Sequence, residues 1–297
     1  MSFSMRECAE FRIPESNAKG FLNDNEGTSV TSSVRKLVID TNSERFREIG
    51  LIDAQWKSNG RAFYTSCKIS RSFSSRELQN AILFSVRFSK VLEMAGEEHG
   101  TLYDESKGCP VCGTGSKQVG PLLLPMKKVS KSADFIKTIA GEYLISKRAR
   151  ELFEDQQISG SVFSPVLNTQ DSCLESNQWY QLSTSPIDLE ISSSTKVGID
   201  LFDEDIKGTY RCTCGQLLGL NLLSPVILKA EQVTLDDICS SRQFIGIRKG
   251  LLRQEKVIFA TQKLRQMAIK EKLRGLEFDV AYFEGSSPIL VGGNIGN

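Results

Sequence analysis

The sequence predicts an α+β protein of two related strand–helix–strand halves, bridged by a pair of zinc knuckles and preceded by a further α/β region. Three observations predict it. Residues 143–160 and 258–275 share one pattern at a spacing of 115 residues. Each stretch follows a glycine-ended cysteine knuckle, Cys109-Pro-Val-Cys-Gly113 and Cys212-Thr-Cys-Gly215. The chain is 40% hydrophobic and 25% charged over 297 residues, which is ample for a packed core without disulfides.

In chain order, residues 1–35 are rich in Ser, Asn and Glu and read as weakly structured. Lys-Leu-Val-Ile-Asp at 36–40 gives a first strand, and the alternating, β-branched run 61–70 after the Ser58-Asn-Gly60 turn gives a second. Ser74 with Glu77 three residues later is a capping-box start for a helix over 74–84. Residues 84–94 fit strand or helix. This divides the chain into an N-terminal α+β region, 1–100, and a duplicated zinc-knuckle domain, 101–297, with copies over 105–167 and 208–284.

Within the copies, Ser146 aligns with Thr261, Arg150 with Arg265, Leu152 with Met267, Ile158 with Leu273, Gly160 with Gly275 and Phe163 with Phe278. A short strand enters a Ser or Thr able to accept a backbone N–H as a helix cap. A three-turn amphipathic helix follows, with Ala149, Leu152 and Phe153 on one face in the first copy and Leu264, Met267 and Ala268 in the second. Gly160 and Gly275 suit the left-handed residue that ends a helix. A strand then returns. Between the copies, 178–182 and 196–202 read as short strands.

Two thiolates spaced by a tight turn face one point, and two such turns supply the four-sulfur shell of a closed structural zinc site. Cys109, Cys112, Cys212 and Cys214 are therefore the candidate zinc ligands, although Cys212-Thr-Cys214 is one residue tighter than the usual spacing. A redox Cys-x-x-Cys or four unrelated thiols are the other readings of the same residues. A catalytic zinc is not expected, since it needs an open position. His99, the one histidine, lies in the polar turn Glu97-Glu-His-Gly100 and is a weaker ligand candidate. Cys8, Cys67, Cys173 and Cys239 show no pairing pattern and read as small buried residues.

A formal charge of +1 gives no global footprint for nucleic acid. No run of eighteen apolar residues and no polybasic anchor points to a membrane. The N-terminus lacks a secretory apolar stretch, so a cytoplasmic protein with reduced thiols is expected. The acidic run Asp200-Leu-Phe-Asp-Glu-Asp205 lacks the glycine and closing Glu of a calcium loop and reads as a solvated turn. No nucleophile elbow, P-loop or dinucleotide fingerprint occurs.

The two knuckles, each followed by a helix ending in Gly and an aromatic strand, resemble the double-CXXCG family of bacterial proteins. Leu144-Ile-Ser-Lys-Arg-Ala149 and Ser161-Val-Phe-Ser-Pro-Val166 are similar to segments of immunity proteins from polymorphic toxin systems. The resemblance spans residues 105–284 and implies a protein that neutralises a cognate toxin by binding it, without catalytic residues. The expectation is a non-enzymatic, zinc-stabilised immunity protein whose partner is a protein toxin. The alternative is a zinc-ribbon nucleic-acid-binding or regulatory protein, against which Pro110, Val111 and Thr213 in the knuckles argue. A third reading is an enzyme that uses the acidic turn and N-terminal residues.

Overall fold

A computed structural model describes residues 5–130, 132–170, 174–186, 189–202, 210–229, 232–233, 235–285 and 289–290. It is mixed α+β, with two compact units, Met1–Leu78 and Gln79–Asn297.

The first unit carries a four-stranded antiparallel sheet made of β1 (Arg6–Pro14), β2 (Thr28–Thr31), β3 (Val34–Asp40) and β4 (Ser66–Ser72), in the order β2-β3-β1-β4. β1 falls in the stretch expected to be weakly structured. Its Ala9, Phe11 and Ile13 are fully buried at period two, and that alternation outweighs the polar composition around it. Helix α1 (Glu44–Ser58) begins where the Ser43 side chain accepts the Phe46 N–H, and it buries Ile49. The second strand starts at Ser66, five residues later than the sequence pattern placed it. The helix expected over 74–84 covers only Ser75–Asn80.

The second unit is organised around two modules with one hydrogen-bonding plan. The first consists of β6 (Phe135–Thr138), β7 (Tyr143–Ser146), α2 (Lys147–Asp155), β8 (Ser161–Asn168) and β9 (Leu174–Pro186). In the second, β10 (Ile238–Ile245), β11 (Glu255–Thr261), α3 (Gln262–Lys270) and β12 (Leu276–Phe283) repeat the first four elements. The two helices and the strands after them have matching boundaries 115 residues apart.

The fifth element of the second module lies far upstream. It is β5 (Leu83–Phe88), which residues 1–100 would have placed in another region. β9 is hydrogen-bonded by β7 (Leu144 opposite Gln181, Ser146 opposite Trp179) and by β8 (Ser161 opposite Thr184). β5 is paired in the same register by β11 (Phe259 opposite Ser85, Thr261 opposite Leu83) and by β12 (Leu276 opposite Phe88). The unit boundary therefore falls at residue 78 rather than 100, because β5 is the central strand of the second module.

Each central strand then runs on into the other module. Ser185 at the end of β9 pairs in parallel with Cys239 of β10, and Val91, just past β5, pairs in parallel with Lys137 of β6. Ser185 N–H donates to the Gly160 carbonyl and Ser89 N–H to the Gly275 carbonyl. The order β5-β11-β10-β9-β7-β6 thus returns to the continuation of β5 and closes a ring. Phe135, Ile145, Phe153, Val86, Leu182, Ile238, Ile258 and Leu264 form one apolar cluster with both helices.

The glycines do other work than expected. The left-handed residues that end the helices are Gln157 and Lys272 (φ 50° and 53°), followed by Ile158 N–H to Phe153 O and Leu273 N–H to Ala268 O. At Gly160 a Cβ would stand 2.1 Å from the Ile238 carbonyl oxygen, and at Gly275 it would stand 2.1 Å from that of Phe135. Each glycine is where one module's backbone touches the other's first strand. The helix starts also differ: Ser146 caps through the Ala149 N–H, whereas the Thr261 side chain makes no cap and donates to Asp237.

Candidate metal centre

The first knuckle is carried by a short hairpin, Leu102–Asp104 against Lys117–Val119. Its turn is closed by Gly113 N–H to Cys109 O (2.7 Å) and Cys109 N–H to Thr114 O (2.8 Å). In the second knuckle Gly215 N–H reaches Cys212 O (2.9 Å) and Cys212 N–H reaches Gln216 O (2.8 Å). Each closure spans one residue fewer, which accommodates Cys-x-Cys without opening the turn. Both glycines have positive φ (83° and 86°). Only Gly113 is also crowded, with a Cβ position 2.6 Å from Arg248 Cβ and from Gln254 Nε2.

These turns bring together sulfurs that lie about a hundred residues apart in the chain. Cys109 Sγ is 3.7 Å from Cys212 Sγ, Cys112 Sγ is 3.5 Å from Cys214 Sγ, and all four lie within 4.8 Å of one another. Cys112 and Cys212 are buried, Cys109 is half-buried and Cys214 is exposed. The N–H groups of Cys112 and Val111 point at the Cys109 sulfur and draw its thiol down to about 6, so a thiolate is available near neutral pH. Burial, then the neighbouring sulfurs of Cys212 and Cys112, pushes Cys214 up to about 12. The set can hold a metal ion with sulfur alone.

Both knuckles rest on the connection from β10 to β11. Arg248 N–H donates to Cys112 O (2.9 Å) on one side. On the other, Leu217 N–H donates to Phe244 O (3.0 Å) and Gly246 N–H to Leu217 O (2.9 Å). Leu217, three residues after Cys214, is buried in the apolar cluster with Val257 and Phe259. The corresponding link in the first module, from β6 to β7, is a tight turn closed by Gly141 N–H to Thr138 O.

A charged network braces the first knuckle. Arg253, with its side chain 5% exposed, bonds Glu97 (3.0 Å), Glu105 (2.9 Å) and Ser116 Oγ (3.1 Å). Its guanidinium carbon lies 3.5 Å from the centre of the Tyr103 ring. Arg248 joins the same two carboxylates at 3.0 and 3.2 Å. Arg253 first, then Arg248, holds the Glu105 carboxyl below its usual range. Partners in this network lie far apart in sequence, so no local spacing announced it.

The remaining candidates fall elsewhere. His99 is half-exposed in the turn Gly96–His99 and outside the four-cysteine group. Asp203, Glu204, Asp205 and Cys173 lie outside the described residues. Cys239 is buried, as expected, and burial pushes its thiol up to about 12. Cys67 is exposed and Cys8 half-buried, against expectation; both lie in the first unit's sheet, Cys67 opposite Phe11 and Cys8 opposite Ser70. No helix among the described residues is long and apolar enough to cross a membrane. No protein-family model matches the sequence, and a search of curated proteins finds no match.

Proposed function

We propose that the protein is a non-enzymatic immunity protein that holds one structural zinc ion and neutralises a bacterial toxin by binding it in the cytoplasm. The observation that carries the first half of this reading is the all-sulfur ligand set. A tetrahedral zinc with Zn–S of about 2.3 Å has sulfur–sulfur edges of about 3.8 Å. The cross-knuckle separations of 3.5 and 3.7 Å match that shell. Four thiolates leave no position for a reacting water, so the ion's work is to tie together segments that the chain order keeps apart.

The second half is supported by what surrounds the site. Leu102 (68% exposed) and Val119 (53%) face each other on the hairpin that carries the first knuckle, and Val111 in that knuckle is 54% exposed. Apolar side chains kept in water beside a rigid turn suit a protein contact. The neighbouring arginines are tied to Glu97 and Glu105, which weighs against a phosphate-binding face. The resemblance of Leu144–Ala149 and Ser161–Val166 to segments of toxin-immunity proteins supplies the partner's class. Co-expression with the toxin encoded beside its gene is the test: growth rescue by the wild-type chain, lost in Cys112→Ser/Cys214→Ser, is expected. Absence of rescue, or metal analysis finding no zinc in the purified protein, overturns the reading.

A further inference from the structure

The two knuckles differ in how open they are to water. The first is packed under the β10–β11 connection: a Cβ at Gly113 would stand 2.6 Å from Arg248 Cβ and from Gln254 Nε2, and Cys112 is buried. The second is open. Thr213, Cys214 and Gly215 are exposed, and a Cβ at Gly215 would meet nothing within 4 Å. Of the four sulfurs, solvent therefore reaches that of Cys214 most freely. It does not stand alone. The buried Cys112 sulfur lies 3.5 Å from it across the centre, and Cys109 and Cys212 make a second cross-knuckle contact at 3.7 Å. An accessible sulfur with another in contact behind it is the arrangement of an oxidisable cysteine and its resolving partner.

We propose that Cys214 and Cys112 form a reversible oxidation site, where hydrogen peroxide couples them into a disulfide that releases the zinc ion yet keeps the knuckles tied together. The Cys214 thiolate attacks one peroxide oxygen and breaks the O–O bond, leaving a sulfenic acid and a hydroxide that is protonated to water. The Cys112 thiolate then attacks the Cys214 sulfur. The S–S bond forms, the S–O bond breaks, and the second hydroxide also leaves as water. Two thiolates lose two electrons and one peroxide gains them. Only Cys109 and Cys212 then remain as ligands, too few for a closed structural site. The bond differs from the Cys109–Cys112 redox pair that Cys-x-x-Cys spacing suggests. It joins residues 102 apart, so it preserves the closure of a long loop that the metal would provide.

This inference rests on the zinc reading above, and its test keeps the two apart. The zinc-loaded full-length chain is treated with hydrogen peroxide. Zinc release is read with a chromogenic chelator, and the linkage by mass spectrometry of a non-reduced digest. Loss of the ion and a peptide pair joined through Cys112 and Cys214 are expected, with free thiols and bound zinc restored by dithiothreitol and added zinc. Residues 246–254 should stay protected from hydrogen exchange in the oxidised chain. Cys67→Ser, which removes an exposed cysteine of the first unit, should behave as wild type. A Cys109–Cys112 link, zinc retained by the oxidised chain, or deprotection of 246–254 overturns the proposal and leaves the structural zinc standing. A purified chain without zinc overturns both.

Discussion

The two modules of the second unit share register, helix boundaries and aromatic stacking. Arg150 lies over the Tyr180 ring (4.3 Å) as Arg265 lies over the Phe84 ring (5.1 Å), from equivalent positions. They differ mainly in one connection. Between β6 and β7 the chain turns within four residues, 139–142, whereas between β10 and β11 it takes nine, 246–254. That longer connection is where Arg248 receives the first knuckle and Gly246 the second. The shared register holds without the added length in the first module, so the added length serves the cysteine centre.

Each prediction breaks or sharpens this comparison. The largest effect is expected at the proposed metal site. Chelation, or Cys212→Ser, should lower stability by something on the order of 5 kcal/mol. In hydrogen exchange it should deprotect 246–254 while leaving the β6–β7 turn unchanged. Equal loss of protection in both turns would show that the centre braces the whole ring.

Next are Gly160→Val and Gly275→Val, each placing a Cβ against a carbonyl oxygen at positive φ. Each should lose at least about 3 kcal/mol in urea denaturation. A mild outcome at one glycine alone would break the equivalence.

Asp134 and Asp237 are the third matched pair. Asp134 accepts from Ser146 Oγ (3.0 Å), Arg148 (3.2 Å) and the Arg274 N–H (2.9 Å). Asp237 accepts from Thr261 Oγ1 (2.9 Å), Lys263 (3.0 Å) and the Ser159 N–H (3.1 Å). Replacing either by Asn should cost about 2 kcal/mol, read from the same denaturation curves.

The smallest effect is asymmetric. Ser146→Ala removes a helix cap as well as the Asp134 bond and should cost about 1 kcal/mol, while Thr261→Ala loses only the Asp237 bond and should cost about half as much. Equal costs would mean that the cap contributes nothing.

How much of this was legible in the sequence follows the range of each interaction. The helix α2 was legible from its Ser146 cap and apolar spacing, and α3 from apolar spacing alone, because these act within a few residues. The four-cysteine cluster was legible because two thiols and a glycine form one local turn. β5 was not, since Leu-Phe-Ser-Val-Arg-Phe is buried along nearly its whole length and has no period to separate strand from helix. Its partners lie at the other end of the unit. The bracing of the knuckle by Arg253 was invisible for the same reason. β1 was misjudged on composition, although Ala9, Phe11 and Ile13 already alternate.

The out-of-order strand has a consequence during synthesis. β5 leaves the ribosome long before both of its hydrogen-bonding neighbours, β11 and β12. Until those strands follow, an apolar segment has no template, while the first module already possesses its own central strand. The second module closes only after release of the last helix and its returning strand, so nascent chains stalled before β12 expose Leu83, Phe84 and Val86 to chaperones or to one another.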